Sequence, residues 1–215
     1  MDTRRQYSLF DRLILQADQA LHTVFGTPSG TGRPNPAGTA VDVEMSSTAR
    51  AESLCLMRVN HAGEVCAQAL YQGQALTARS SETRIQMQRA ALEENDHLAW
   101  CQQRVHELGG STSLLNPCWY TGSLAIGAVT GLLGDQWSLG FLAETEEQVV
   151  KHLERHLHRL PDGDLRSRAI LQQMKADEAQ HRDHARQAGG KPLPELVKKL
   201  MALSSKVMTK TTYRI

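Results

Sequence analysis

The sequence predicts an all-α protein, a four-helix bundle with additional N- and C-terminal helices, on three observations. Four long segments, at about 47–79, 81–108, 121–160 and 164–188, repeat apolar residues at three- and four-residue steps, the spacing of one helix face. No stretch combines period-two alternation with β-branched enrichment and flanking turn residues, so strands are not expected. Gly109-Gly110 and Pro161-Asp162-Gly163 provide stops, and such short connections favour antiparallel neighbours.

An amphipathic segment over about residues 7–25 opens the chain and stops at Gly26. Asp11 and Arg12 interrupt its apolar run, so it is not a secretory signal, and the mature chain is expected to start here. The stretch "GTPSGTGRPNPAGTA" follows as a Gly/Pro-rich linker without helical character. The expected organisation is therefore a helix over 1–26, a linker over 27–45 and a main domain over 46–215.

In the first long segment, "RVNHAGEVCAQALYQGQ", Glu64 shares a face with Met57, His61, Tyr71 and Ala75, and Tyr71 is read as core. The second contains "ALEENDHLAW", with Glu94 and His97 on a stripe of Met87, Ala90, Ala91, Leu98, Cys101, Val105 and Leu108. Ahead of the third carboxylate, the chain carries no charge from Leu108 to Gly134. Pro117, Gly122, Gly127, Gly131 and Gly134 interrupt that run, which argues against a membrane-spanning helix. Two readings of it remain: a buried Gly-rich helix, or an interfacial membrane contact around 111–143, the second favoured by Trp119, Tyr120 and Trp137 at its flanks.

The third stripe runs Leu139, Leu142, Val149, Leu153, Leu157 and Leu160, with Glu146 on it and Glu144 and Glu147 off it. On the fourth, Glu178 and His181 recur with Leu165, Ile170, Leu171, Met174, Ala185 and Ala188. A shorter helix is expected over about 193–209.

Composition narrows the function. A chain of 215 residues that is 40% hydrophobic can fill the core of one domain, and a net charge of +1 with scattered basic residues excludes a nucleic-acid footprint. Cys55, Cys66, Cys101 and Cys118 contain no CxxC pair, which argues against a zinc ribbon or a disulfide framework and for reduced thiols in a cytoplasmic setting.

A charged group on an apolar stripe needs a partner, because moving it from water into a packed interior is costly. Here two ExxH motifs and two single glutamates fall on four helical stripes, the ligand set of di-iron and di-manganese carboxylate bundles. An i, i+3 spacing lets a glutamate and a histidine grip one metal. Carboxylates bridge two ions and offset their charge, imidazoles cap them, and open positions remain for dioxygen. The metal-ligand candidates are Glu64, Glu94, His97, Glu146, Glu178 and His181, with Asp96 and Asp177 as acceptors behind the histidines. His61, His152, His156, His158 and His184 read as surface or supporting histidines on pattern alone.

With "RVNHAGE", "EENDH", "ETEEQ" and "DEAQH" in that order, the chain from about Arg58 onward resembles the demethoxyubiquinone hydroxylases of ubiquinone biosynthesis, a ferritin-like di-iron group. The resemblance implies two iron ions at the six positions and hydroxylation of a polyprenyl demethoxy-benzoquinol, with dioxygen as oxidant and NADH as electron donor. It also implies peripheral attachment to the cytoplasmic face of the cell membrane, accessory quinone-biosynthesis proteins, and a relay role for His152. In relatives a tyrosine sometimes follows that histidine, whereas here Leu153 does. No dinucleotide-binding fingerprint is present, so NADH comes from the resemblance alone and a separate reductase is the alternative. Two rival functions stand beside this one: a ferroxidase or iron-storage protein, and a non-catalytic membrane-associated scaffold.

Overall fold

The computed structural model describes residues 9–26, 29–41 and 43–215, and every regular element among them is helical. The helices are α1 (Leu9–Phe25), α2 (Ser47–Thr77), α3 (Ser81–Glu107), α4 (Asn116–Leu132), α5 (Asp135–Arg159), α6 (Leu165–Gln187) and α7 (Glu195–Thr212). The all-α expectation is borne out. Tyr7 and Ser8 of the first expected helix lie outside the described residues, as do Thr27, Pro28 and Asp42 of the linker.

Side-chain caps fix three helix starts by accepting backbone N–H groups that have no partner within the helix. Ser46 accepts from Ala49 at 3.2 Å, Ser80 from Thr83 at 3.0 Å and Asp164 from Ser167 at 2.9 Å.

Two expectations need correction. The single helix expected over 121–160 is two helices, because the chain turns at Gly134 with φ +110°, a conformation glycine adopts without steric cost. Asp135 then pins the break: its carboxylate accepts from the backbone N–H of Arg79 at 2.9 Å and of Ser80 at 2.8 Å, in the turn between α2 and α3. Apolar residues resume at Trp137 and Leu139, so periodicity alone joins the halves. The linker is also not free of helix: Asn35 accepts from Ala37 N–H at 2.9 Å and opens a 3-10 turn over Pro36–Thr39 that places Ala37 in the core.

Helices α2, α3, α5 and α6 form the bundle, with α2–α3 and α5–α6 as hairpins and α4 running along α2. Glycines set the α2–α4 approach: a Cβ on Gly127 would stand 2.3 Å from the Leu70 carbonyl oxygen, and one on Gly73 2.3 Å from that of Leu124. The inner face of α4 is thus the buried Gly-rich helix of the first reading, while Ile126, Val129, Leu132 and Leu133 on its outer face are exposed. Tyr120 does not mark a flank at an interface, since it is buried and hydrogen-bonded to Gln72.

The bundle interior has three layers. Leu56, Met57, Cys101, Val105, Leu153, Ile170 and Met174 fill one apolar layer, and Ala67, Tyr71, Met87, Ala91, Leu139, Leu142 and Ala185 fill another. On each of the four helices the stripe carboxylates and histidines fall between these two layers. The ends of the fourth stripe, Leu165 and Ala188, are exposed.

Gly127→Val is expected to destabilise the protein by about 1–3 kcal/mol, because the side chain meets backbone that cannot move aside. Gly122→Ala, at an open position of the same helix, is expected to be neutral or stabilising in the same thermal melt. Equal melting temperatures for the two variants would contradict this packing.

Candidate metal centre

Glu64 comes from α2, Glu94 and His97 from α3, Glu146 from α5, and Glu178 and His181 from α6. All six converge in the middle layer and all are buried, Glu94 and His97 to 0% exposure.

Glu94 and Glu178 each face both imidazoles. Glu94 places Oε2 3.0 Å from His97 Nδ1 and Oε1 3.1 Å from His181 Nδ1. Glu178 places Oε1 3.1 Å from His97 Nδ1 and Oε2 3.3 Å from His181 Nδ1. Glu64 Oε2 lies 3.9 Å from His97 Nδ1, and Glu146 is hydrogen-bonded to Glu178 on the His181 side. The centre therefore has two halves, Glu64 with His97 and Glu146 with His181, joined by two shared carboxylates.

These side chains suit a pair of divalent cations. One ligand atom from each of Glu64, Glu94, His97 and Glu178 falls within 4.8 Å of the others, all buried. Among the described residues, Glu94 Oε1 and Glu178 Oε1 have only the imidazole contacts given above, without a well-aligned hydrogen bond, and no lysine or arginine pairs with the four glutamates. Buried oxygens left this way are costly, and a metal ion satisfies them.

The electrostatics report the same crowding. Burial, then the neighbouring carboxylates, pushes Glu64 and Glu146 well above the usual carboxylate range. Burial acts the same way on Glu94, but His97 and His181 outweigh it and hold that carboxyl well below the range. Burial would lower His97 and His181, yet the surrounding carboxylates raise both.

Behind the histidines, Nε2 of His97 lies 2.8 Å from Asp177, as expected. Asp96 does not serve His181; it accepts from Thr31, Gly32 and Arg33 instead. Glu93 takes that place, 2.7 Å from His181 Nε2. Each ExxH histidine is thus held by the acidic residue that precedes the glutamate of the opposite motif, and both Nδ1 atoms face the shared carboxylates. The doubled acid in "EENDH" and "DEAQH" is the sequence signal for Glu93.

Tyr71 has a polar task besides packing: its hydroxyl donates to Glu146 Oε1 at 2.6 Å. His158 and His184 are exposed, whereas His61 and His156 are buried beside Asn116 and Asn60, which supply polar partners a surface histidine does not need. Burial lowers His61 to about 3 and His156 to about 2. His152 rests on His156, with ring centroids 3.9 Å apart; among the described residues no hydrogen bond joins it to the six. All four cysteines are free thiols.

Fold and site define a ferritin-like helical bundle with a buried carboxylate and histidine layer. Among solved structures, the dodecameric thioferritin described as the bacterioferritin-related protein from Bacteroides fragilis shares this fold, with a TM-score of 0.53 at 16% identity over 66% of this chain and 85% of that one. The chain belongs to the family of ubiquinone biosynthesis protein COQ7, which matches residues 51–212. It is 60% identical to the 3-demethoxyubiquinol 3-hydroxylase of Nitrosococcus oceani, over 98% of this chain and 99% of that protein. To the protein of that name from Xanthomonas axonopodis pv. citri it is 54% identical, over 98% and 97%.

In the metal-free centre Glu64, Glu146, His97 and His181 hold their protons more tightly than in the unfolded chain. Stability from such groups is lost as pH rises toward their folded values. The lowered carboxylates are ionised in both states above neutrality and contribute no slope there. The metal-free protein is therefore expected to melt at progressively lower temperature from about pH 7.5 to 9, and a divalent metal, which replaces the protons, is expected to flatten that fall. A rising melting temperature without metal over this range would contradict the assignment.

Proposed function

We propose that the chain is a di-iron monooxygenase that hydroxylates the ring of a polyprenyl demethoxy-benzoquinol. One oxygen atom of dioxygen enters a ring C–H bond and the other leaves as water, with two electrons supplied by NADH. The broader assignment, a hydroxylating oxidoreductase of ubiquinone biosynthesis, follows from the family and from relatives named 3-demethoxyubiquinol 3-hydroxylase.

The observation that carries the finer reading is the pair of shared carboxylates, Glu94 and Glu178, each facing both histidines. Two iron ions held by the six residues would supply activation of dioxygen. Glu64 and Glu146 complete one half each, and Tyr71 fixes the carboxylate of Glu146. The apolar layers on either side keep bulk water from the centre.

Between α2 and α5 the side chains of Ala67, Leu70, Phe141 and Leu142 pack around Tyr71 and Glu146 and leave only a closed crevice there, so a lipid-soluble quinol would have to part these apolar side chains to approach Glu146. Exposed apolar side chains support peripheral contact with the cytoplasmic face of the cell membrane: Phe10, Ile14 and Phe25 on α1, the outer face of α4, and Leu196, Leu200, Leu203 and Val207 on α7. No described helix is long and apolar enough to cross a membrane. Relay through His152, two turns beyond Glu146 on α5, and help from accessory quinone-biosynthesis proteins belong to the same reading.

The test is to supply iron-loaded protein with NADH, a short-chain demethoxyquinone and isotopically labelled dioxygen, and to read the extracted ring by mass spectrometry. One labelled oxygen in the ring is expected, and Glu178→Ala is expected to lose bound iron and turnover together. Oxygen consumption without ring label would move the ferroxidase reading ahead, and full turnover by an iron-free Glu178→Ala variant would sink the metal assignment.

A further inference from the structure

Asp177, the acceptor behind His97, is itself held from outside the bundle. Arg33 places Nη1 2.8 Å from Asp177 Oδ2 and Nε 3.2 Å from Asp96 Oδ2, so one guanidinium ties α6 to α3. Its Nη2 stands 3.4 Å from His97 Nε2, and the group lies over the Trp100 ring, 5.1 Å from the centroid.

The segment that carries Arg33 crosses α3 as a strap. Asn95 donates to the Ser29 carbonyl at 2.9 Å, Gly32 N–H to Asp96 at 3.3 Å, and Asn35 to Gln103 at 2.9 Å, while Ala37 anchors the far end in the core. At Gly30 a Cβ would stand 2.1 Å from Asp96 Oδ1, so the strap lies hard against the helix.

Among the described residues, the acid behind the other histidine has no equivalent clamp. Glu93, behind His181, is approached by Arg89 Nε at 3.5 Å, and that arginine's side chain is 83% exposed. An exposed one-turn ion pair fixes little, because solvent screens it and both side chains keep their freedom. A guanidinium bridging two carboxylates on different helices is a rigid fork that a lysine cannot reproduce.

We propose that Arg33 is a positioning residue that makes the two halves of the centre unequal, with the histidine of the Glu64–His97 half preformed and the histidine of the Glu146–His181 half left adjustable. The proposal rests on the metal-centre reading above. A clamped imidazole loses little freedom when it takes a metal, so the preformed half binds first and more tightly. In the other half Tyr71 holds Glu146, so the freedom that remains is that of His181 and of Glu93 behind it.

Calorimetric titration of the metal-free full chain with manganese(II) tests this. The wild type is expected to bind two ions in two unequal steps. Arg33→Ala is expected to weaken the tighter step about tenfold or more and leave the weaker step in place, with Arg33→Lys closer to the alanine variant than to the wild type. Arg89→Ala, which removes the exposed arginine beside Glu93, is expected to leave both steps unchanged. Equal steps in the wild type, equal weakening of both steps by Arg33→Ala, or the same loss from Arg89→Ala would overturn the proposal. A wild type that takes up fewer than two ions would overturn the metal-centre reading and this inference with it.

Discussion

Four carboxylates share one dry layer of this bundle, and the rest of the structure answers to that constraint. Each buried carboxylate has given up hydration at a cost of several kcal/mol, and no lysine or arginine among the described residues pairs with the four. Without metal, the crowding raises the proton affinity of Glu64, Glu146 and the two imidazoles. Two divalent cations would balance the four negative charges and take up the oxygens of Glu94 and Glu178 that lack well-aligned hydrogen bonds. The polar layer is therefore a weakness of the metal-free fold and a strength of the loaded one.

The apolar layers make such a band tolerable. Leu56, Ile170 and Met174 on one side and Met87, Leu139 and Ala185 on the other are packed with little or no exposure, so the helices cannot slide to release the charges to water. Helix α4 shields α2 through glycine contacts that allow backbones to touch. Reciprocal acid–histidine pairs, His97 with Asp177 and His181 with Glu93, fasten α3 to α6 and aim both Nδ1 atoms inward.

Much of this was legible in the sequence, because helical period reports burial and a carboxylate on a buried face demands a reason. Glu94, His97, Glu178 and His181 stand out by both motif and stripe, and Glu146 by stripe alone. The sequence marks Gly134 as an interruption but not as a helix end, since apolar residues resume at Trp137 and Leu139 in a helical step and only the positive φ makes the turn. Arg33 was equally hidden: it lies 144 residues from Asp177 in a Gly/Pro-rich stretch whose composition says loop and says nothing of what the loop covers. Asp96 and Glu93 look alike as neighbours of one motif, and only the rotation of α3 decides that Asp96 meets the strap and Glu93 meets His181.

The central claim is that six side chains from four helices form one centre with two halves. Anomalous diffraction from crystals loaded with ferrous iron tests it most directly. The account predicts two iron peaks per chain, about 3.5–4 Å apart as in other two-metal sites, one beside Glu64 and His97, the other beside Glu146 and His181, with Glu94 and Glu178 between them. A single peak, or iron bound outside the buried layer, would contradict it.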